Sequence, residues 1–598
     1  MFTGKRPAAL LSLLTVLALS CALALSGATG ASAAASSAIV SPLPGTVSAM
    51  PASQISFLGA SAASLSSISV TGSASGRHSG HLHSYSSATG ASFIPSAPFT
   101  PGERVTVHAI WRTPRGARTT LSTSFTVAQP AVVSFTEFPA VPGTPADVQS
   151  FNSQPALHPP AITVHQAAGA TSAPGYVFAA PFLGPGQWGP MIFDSAGNLV
   201  WFHQVPTGQD AADLRTQVLH GKNDLTWWQG RTIQLGYGLG VDVVADANYH
   251  TVAVIHAGNG LQADEHEFNV TPQGTAWVLA YSPVTTSLAS VGGPASGTVV
   301  EGVIQEVDIH TGLVMWEWHS LGRIDLTESY SKLPASPAGA YDYFHINSLT
   351  TDAHGNVLIS ARNTWGLYDI NHHSGAVMWR LGGKRSTFKL GQGVQFAFQH
   401  NALWLPNGDI SLFDDEGAPP VNPPSRGEVV RLDTAAKTAT LVSQFVRNPG
   451  PLTTGSQGDL QALPGGNWMV GWGGLPNFTE FNAQGQVVYD GQLPHGEFSY
   501  RVYRLPWAGQ PTEPPAVVAR SVAGTSTVYA SWNGATTVFS WQLLTGSSAA
   551  HMTAVSTTPR SGFETTIPAP AAAIYEVRAL SASGRVLGTS TVVSPVAG

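Results

Sequence analysis

A chain of 598 residues leaves room for several domains of ordinary size. Only 10% of its residues are charged, glycine (63) and proline (43) are abundant and 43% are hydrophobic, which excludes wholesale disorder and favours short strands joined by tight turns over helices. A formal charge of −7 without any basic run excludes the usual electrostatic footprint of a nucleic-acid binder.

The first stretch, MFTGKRPAALLSLLTVLALSCALALSGATGASAAASS, has Lys5 and Arg6 ahead of an apolar run and the small-residue triplet Ala31-Ser32-Ala33. It reads as a signal peptide over residues 1–35, and so as a secreted, extracellular protein, either free or held near the cell surface. An uncleaved anchor is the alternative, and it lacks a basic stop-transfer flank. The only cysteine, Cys21, lies inside this segment. Cleavage would remove it together with two positive charges, taking −7 to −9 and leaving no thiol for disulfides, nucleophiles or metal clusters. No membrane span is expected in the mature form.

Residues 40–130 alternate apolar and polar side chains (ISVTGSASG, RVTVHAIWR, LSTSFTVAQ) between Pro/Gly turns, the pattern of an Ig-like β-sandwich. A Pro-rich linker is expected over 131–164. Within 165–508 two kinds of hairpin alternate. One kind is LTTDAHGNVLISAR, LWLPNGDISLFDD and LQALPGGNWMVGW; the other is VDIHTGLVMWEW, INHHSGAVMWRL and FNAQGQVVYDG. Six of each can be counted. Two alternating hairpins per unit make a four-stranded sheet, and six such sheets closing radially make a β-propeller. Residues 512–598, with TVYASWNGATTVFSWQLL and YEVRALSASGRVLGTSTVV, resemble a fibronectin type III domain with Trp532 in its core and Tyr575 near the corner position. The expected fold class is thus all-β, a six-bladed propeller flanked by N- and C-terminal β-sandwiches.

Twenty histidines are the unusual resource of this composition. His266 precedes its turn glycine Gly274 by eight residues, His345 precedes Gly355 by ten, and His400 precedes Gly408 by eight. In a propeller the first strand of each blade lines the axis, so three consecutive blades would aim imidazoles at one end of the channel. Gln457, in SQGDLQALPGG, takes the corresponding place in the sixth. Hairpin pairing around Ala353–Gly355 makes Arg362 a cross-strand neighbour of His345. Tyr281, Trp472 and Asp415 approach the same mouth.

An arginine fork ringed by imidazoles suits a tetrahedral oxyanion such as sulfate or phosphate, with one imidazole as nucleophile and another as general acid. A three-histidine metal site is the competing reading, against which the neighbouring arginine counts. Any one of these histidines could also serve structure alone; three at equivalent positions beside an arginine point to chemistry.

Residues 165–507 resemble the arylsulfate sulfotransferase family, secreted six-bladed propellers. The segments that carry the likeness are GPMIFDSAGNLVWF, DYFHINS, ISARNTWGLYDI, WRLGGK, FQHNALWLPNG and SYRVYRLPW, in that order and spacing. The resemblance implies transfer of a sulfuryl group from a small aryl sulfate donor to a phenolic acceptor, without a nucleotide donor or other cofactor. It implies a ping-pong route through a sulfohistidine: His400, in FQHNALW, matches the nucleophile's motif, and His345 and Arg362 match the groups that hold the sulfuryl oxygens. His266, in DEHEF, matches the remaining histidine more loosely. Substrate contacts are expected from Asn347, Gln457, Trp472, Trp228, Tyr281 and Tyr500, with Trp188 and Trp227 as further aromatic walls. The chain departs from those members that carry a disulfide, and from their loop lengths around the third blade. Two other functions stay open at this point. One is aryl sulfate hydrolysis on the same residues. The other is a non-catalytic extracellular propeller that binds glycan or cell-wall polymer, which would have no need of the histidine cluster.

Overall fold

In RVTVHAIWR the apolar residues Val105, Val107, Ala109 and Trp111 turn inward while their neighbours face outward, and the segment forms the strand Arg104–Arg112. The same period of two builds most of the molecule. The computed structural model describes residues 38–597 apart from positions 135, 337 and 523. The expected signal segment, with Cys21, lies outside the described residues. Among those residues the protein is all-β, with only short 3-10 turns between strands.

Two four-stranded sheets face each other over residues 39–126. Their shared core holds Phe57, Val70, Phe93, Val107, Trp111 and Phe125. This sandwich rests on the strand pair Gly297–Asp308 and Val314–His319: the Ser48 hydroxyl donates to Glu301 at 2.8 Å, and Ser86 donates to Asp308 through both its N–H and its hydroxyl at 2.7 Å. His319 lies between Glu301 and Glu317 at 3.1 and 3.0 Å. Burial alone would depress its pKa, but the two carboxylates outweigh burial and raise it to about 10.

Six sheets, each built on four antiparallel strands, follow between residues 163 and 505. The first joins Tyr176–Ala179, Met191–Phe193 and Leu199–Phe202 to Tyr503–Leu505, which arrives from the far end of the segment. The second spans Asp210–Leu219 to Thr251–Ile255, the third Phe268–Val270 to Val314–His319, and the fourth Ile346–Thr351 to Val377–Gly382. The fifth spans His400–Trp404 to Thr438–Phe445, and the sixth Asp459–Ala462 to Val487–Gln492, with Thr163–Gln166 added at its outer edge. First strands meet first strands: Asp210–Leu219 touches Phe268–Val270, and Ile346–Thr351 touches His400–Trp404, which touches Asp459–Ala462. Asn269 donates to Leu349 O at 2.7 Å and so joins the third sheet to the fourth. Contacts therefore run from each sheet to the next and back to the first.

The Pro-rich segment after the N-terminal sandwich is expected to act as a linker, and it also pairs closely with the sheets it passes. The N–H of Ala131 donates to Pro283 O, that of Gln234 to Thr136 O, and that of Val141 to Leu183 O at 2.6 Å. Beyond residue 512 two further four-stranded sheets enclose Trp532, Trp541, Ile567 and Tyr575. The Tyr575 hydroxyl donates to Pro570 O, five residues upstream, at 2.8 Å. This unit leans on the first and second sheets through Asn533, which exchanges hydrogen bonds with the Phe202 backbone, and through Gly534, whose carbonyl accepts from Tyr249. Gly534 has φ +95°, and a Cβ there would fall 2.3 Å from the Tyr249 ring, so only glycine permits the approach.

Candidate functional site

The inner strands of the third, fourth and fifth sheets begin at Phe268, Ile346 and His400. The three histidines thus stand two residues before, one residue before and at the first residue of a strand. Gln457 stands two residues before the sixth sheet's first strand, Asp459–Ala462. The turn glycines Gly274, Gly355 and Gly408 all have positive φ, as a hairpin's tight corner demands. Positive φ also occurs where no glycine relieves it: His345 (+59°), Phe398 (+59°), Asn401 (+51°) and Gln457 (+69°). Each such residue costs on the order of 1–3 kcal/mol and persists only where its surroundings over-determine it. Their concentration around the three imidazoles marks this end of the sheets as a built site.

Every one of the three imidazoles is anchored through Nδ1 to an aspartate: His266 to Asp264 at 2.5 Å, His345 to Asp342 at 2.5 Å and His400 to Asp415 at 2.7 Å. Such a partner fixes ring orientation and leaves Nε2 for chemistry. For His400 the tautomer follows from its other neighbour, because the Gln457 backbone N–H donates to Nε2 at 3.2 Å. Nε2 therefore carries a lone pair and Nδ1 the proton, which Asp415 accepts. Asp342 reaches its place because Ala340–Asp342 runs parallel to the third strand of the third sheet.

The three environments separate in charge. Burial, reinforced by Arg362 and the other two imidazoles, holds His400 well below the usual histidine range, so this ring is neutral. Burial also lowers His345, with Asp342 opposing it in part. For His266 burial is outweighed by Asp264, and its pKa is raised. An imidazole whose pKa is held down and one whose pKa is raised thus face a single space. Next to His266, Glu265 accepts from the Thr232 hydroxyl, and burial pushes its carboxyl up to about 8.

Arg362 follows the second strand of the fourth sheet, and its backbone N–H donates to His345 O at 2.8 Å, the cross-strand proximity expected from hairpin spacing. Its guanidinium donates to Gly455 O at 2.8 Å and Asn363 Oδ1 at 3.1 Å, and lies over the Phe398 ring at 4.8 Å. Among the described residues it forms no ion pair, and burial lowers its pKa. A buried cation without a carboxylate partner is a standing invitation to an anion.

These groups open onto one cavity of about 370 Å³. Its polar lining includes His266, His345, Arg362, His400, Gln457, Glu265 and Asp342, and its apolar lining is Phe138, Phe182, Leu183, Leu235 and Phe498. Phe182 and Phe498 meet edge to face at 5.9 Å and form an aromatic wall against which a third ring can pack. Gly236 closes one side with φ +82°, its hydrogen facing His345 where a Cβ would stand 3.3 Å from Cε1.

Of the residues expected at the site, the cavity gathers His266, His345, Arg362, His400 and Gln457. Tyr281 and Tyr500 stand behind the imidazoles: Tyr281 is 5.5 Å from His345 and donates to Ile346 O, and Tyr500 is 5.2 Å from His266 and donates to Asn347 O. Asn347 is fully buried one layer further in, donating to Gln399 O at 2.7 Å, with its Oδ1 unpartnered. The two tryptophans do not reach the cavity. Trp228 packs between the second and third sheets and donates to Ala263 O, while Trp472 packs on Phe413 and donates to Thr479 Oγ1. Trp228 within a strand and Trp472 just after one both point their side chains into sheet-to-sheet cores, which explains their burial. Unforeseen from sequence were Asp264, Asp342 and Glu265 and the walls Phe138, Phe182 and Phe498; the acidic residues flanking each histidine in DEHEF and DYFH were the one available signal. Among the described residues no group of three His, Cys, Asp or Glu side chains is placed to hold a metal ion.

Residues 215–493 match the model of the arylsulfotransferase (ASST) family, a span that includes all three histidines, Arg362 and Gln457. No curated protein matches the chain. Among solved structures it is similar to a protein of unknown function from Bacteroides caccae, 12% identical over 55% of this chain and 98% of that one, with a TM-score of 0.34. A protein of unknown function from Dyadobacter fermentans is 13% identical over 55% and 93%, with a TM-score of 0.30. A luciferin-regenerating enzyme is 11% identical over 58% and 99%, with a TM-score of 0.25.

Proposed function

We propose that this protein is a secreted arylsulfate sulfotransferase whose six sheets form a propeller between an Ig-like and a fibronectin type III-like sandwich, and that His400 carries the sulfuryl group between donor and acceptor. The observation that carries this reading is the neutral His400, tied to Asp415, in one cavity with an arginine that has no carboxylate partner. The family match over 215–493 supports the class of reaction.

The steps follow from the charges. An aryl sulfate enters with its ring against Phe182 and Phe498 and its sulfuryl oxygens toward Arg362, and His345 donates to them once the incoming anion has drawn a proton onto its Nε2. The Nε2 lone pair of His400 attacks sulfur as the bond from sulfur to the aryl oxygen breaks, and the departing electron pair stays on that oxygen. His266, protonated beside Asp264, gives the aryl oxide its proton. The Gln457 N–H, displaced from Nε2 by the new N–S bond, becomes free to donate to a sulfuryl oxygen. The Nδ1 proton relaxes toward Asp415 and lowers the positive charge on the ring. In the second half a phenol gives its proton to the now neutral His266 and its oxygen attacks sulfur, and the N–S electron pair returns to Nε2. No nucleotide and no metal enter either half.

The test is release of nitrophenol from 4-nitrophenyl sulfate, with and without phenol, by the wild type and His400→Ala. Phenol-accelerated release that disappears in the variant is expected. Release that needs His400 but ignores phenol would make the protein a hydrolase. No release across a panel of aryl sulfates would contradict the reading.

A further inference from the structure

The histidine cavity has a neighbour. A second cavity of about 280 Å³ adjoins it and shares three lining residues, Phe138, Leu183 and Thr232. Beyond them its lining includes Trp188 and Val205 together with the polar side chains Glu137, Gln187, Asp210 and Arg231. Its walls come from four separate parts of the chain, and each is held in place. Trp188 is half-buried, with its indole N–H donating to Gly184 O at 3.0 Å. Val205 is buried and its backbone N–H donates to Trp188 O at 3.0 Å. Phe138 belongs to the Pro-rich segment, which is pinned on both sides: Gln234 N–H donates to Thr136 O at 2.9 Å and Val141 N–H to Leu183 O at 2.6 Å. Asp210 accepts from the Thr232 N–H at 3.0 Å.

The reacting ring must sit in the inner cavity, close enough to the imidazoles for attack, against Phe182 and Phe498. A single-ring phenol there leaves the outer cavity unused. An outer chamber that is preformed, carries a fixed indole and begins where the inner one ends fits the remainder of a longer molecule. Resting on the sulfotransfer reading, we infer that the outer cavity is a binding subsite for the far ring of an extended aromatic substrate, and that donors or acceptors of two or more rings are this protein's preferred class. Phe138 is then the divider between the two subsites, and the Pro-rich segment that carries it sets specificity.

The experiment compares phenol with 4-phenylphenol, both as acceptors in turnover and by equilibrium dialysis against the unreacted protein. Two variants probe the outer cavity from different sides: Trp188→Ala removes its aromatic wall, and Thr207→Trp, at an exposed lining position, fills it. The wild type is expected to bind 4-phenylphenol more tightly than phenol. Each variant should lower the ratio of affinities, and the ratio of kcat/KM values, by about tenfold. Tight, Trp188-dependent binding of 4-phenylphenol by a protein that turns over neither phenol would support the outer subsite while contradicting sulfotransfer. Binding of 4-phenylphenol that is indifferent to both variants would overturn the inference, whatever the turnover.

Discussion

Arg501, fully buried, and Arg362, half-buried at the cavity, both lie beside the three imidazoles, and they are compensated in opposite ways. Arg501 is fully buried, meets Asp213 at 3.1 Å and Glu267 at 3.0 Å, and donates to the carbonyls of His266 and Asn347. Arg215 joins the same carboxylates at 3.2 and 2.6 Å, so that two arginines and two carboxylates balance. Arg362 has a carbonyl, an amide oxygen and an aromatic face in contact, and Asp415 and Asp342 act on it only from beyond ion-pair distance. Charge that is matched inside the protein holds sheets together. Charge left unmatched beside a cavity is kept for a ligand, and the fold bears its desolvation.

Substitutions separate the two roles. The largest effect on stability is expected for Arg501→Met, which leaves Asp213 and Glu267 sharing Arg215 alone in the core. Breaking a buried pair in this way costs about 3–5 kcal/mol, readable as a lowered denaturant midpoint. Arg362→Met should do the reverse. Removing an unpaired buried charge leaves the midpoint unchanged or raised, while the rate of sulfuryl transfer falls on the order of a hundredfold or more, the usual cost of losing one preorganised donor. Equal stability losses in the two variants would erase the distinction drawn between them.

A smaller effect concerns Glu265, the carboxyl among the histidines. Its folded-state pKa, about 8, lies above the ordinary 4.5. Between these values the folded state holds a proton that the unfolded chain has released, so stability falls as pH rises. The contribution is present in full below 4.5 and lost as pH rises through about 8. Relative to Glu265→Gln, which stays neutral and similar in shape, the wild type's urea midpoint should decline across that window. Parallel pH profiles for the two proteins would show that Glu265 ionises normally.

Much of this was readable in the chain because hairpins tie sequence spacing to position. Once His266, His345 and His400 stand eight to ten residues ahead of turn glycines, their arrival at one end of neighbouring sheets follows from strand geometry, and so does Arg362 across from His345. Residues whose role depends on how different sheets meet were not readable. Trp228 and Trp472 look like Phe182 and Phe498 in composition, yet the first two point into sheet-to-sheet cores and the second two into the cavity. Phe138 gave no signal, because a lone aromatic in a Pro-rich stretch has no period to betray it. Its place as a wall depends on the backbone hydrogen bonds that bind the stretch to the second and first sheets.

The most direct test of the central claim is peptide mapping of the protein mixed with 4-nitrophenyl sulfate in the absence of any acceptor and quenched in base. The account predicts one added sulfuryl group on the peptide containing His400, absent from His400→Ala and discharged when phenol is added before the quench. A sulfuryl group on His266 or His345, or nitrophenol release without any labelled peptide, would contradict it.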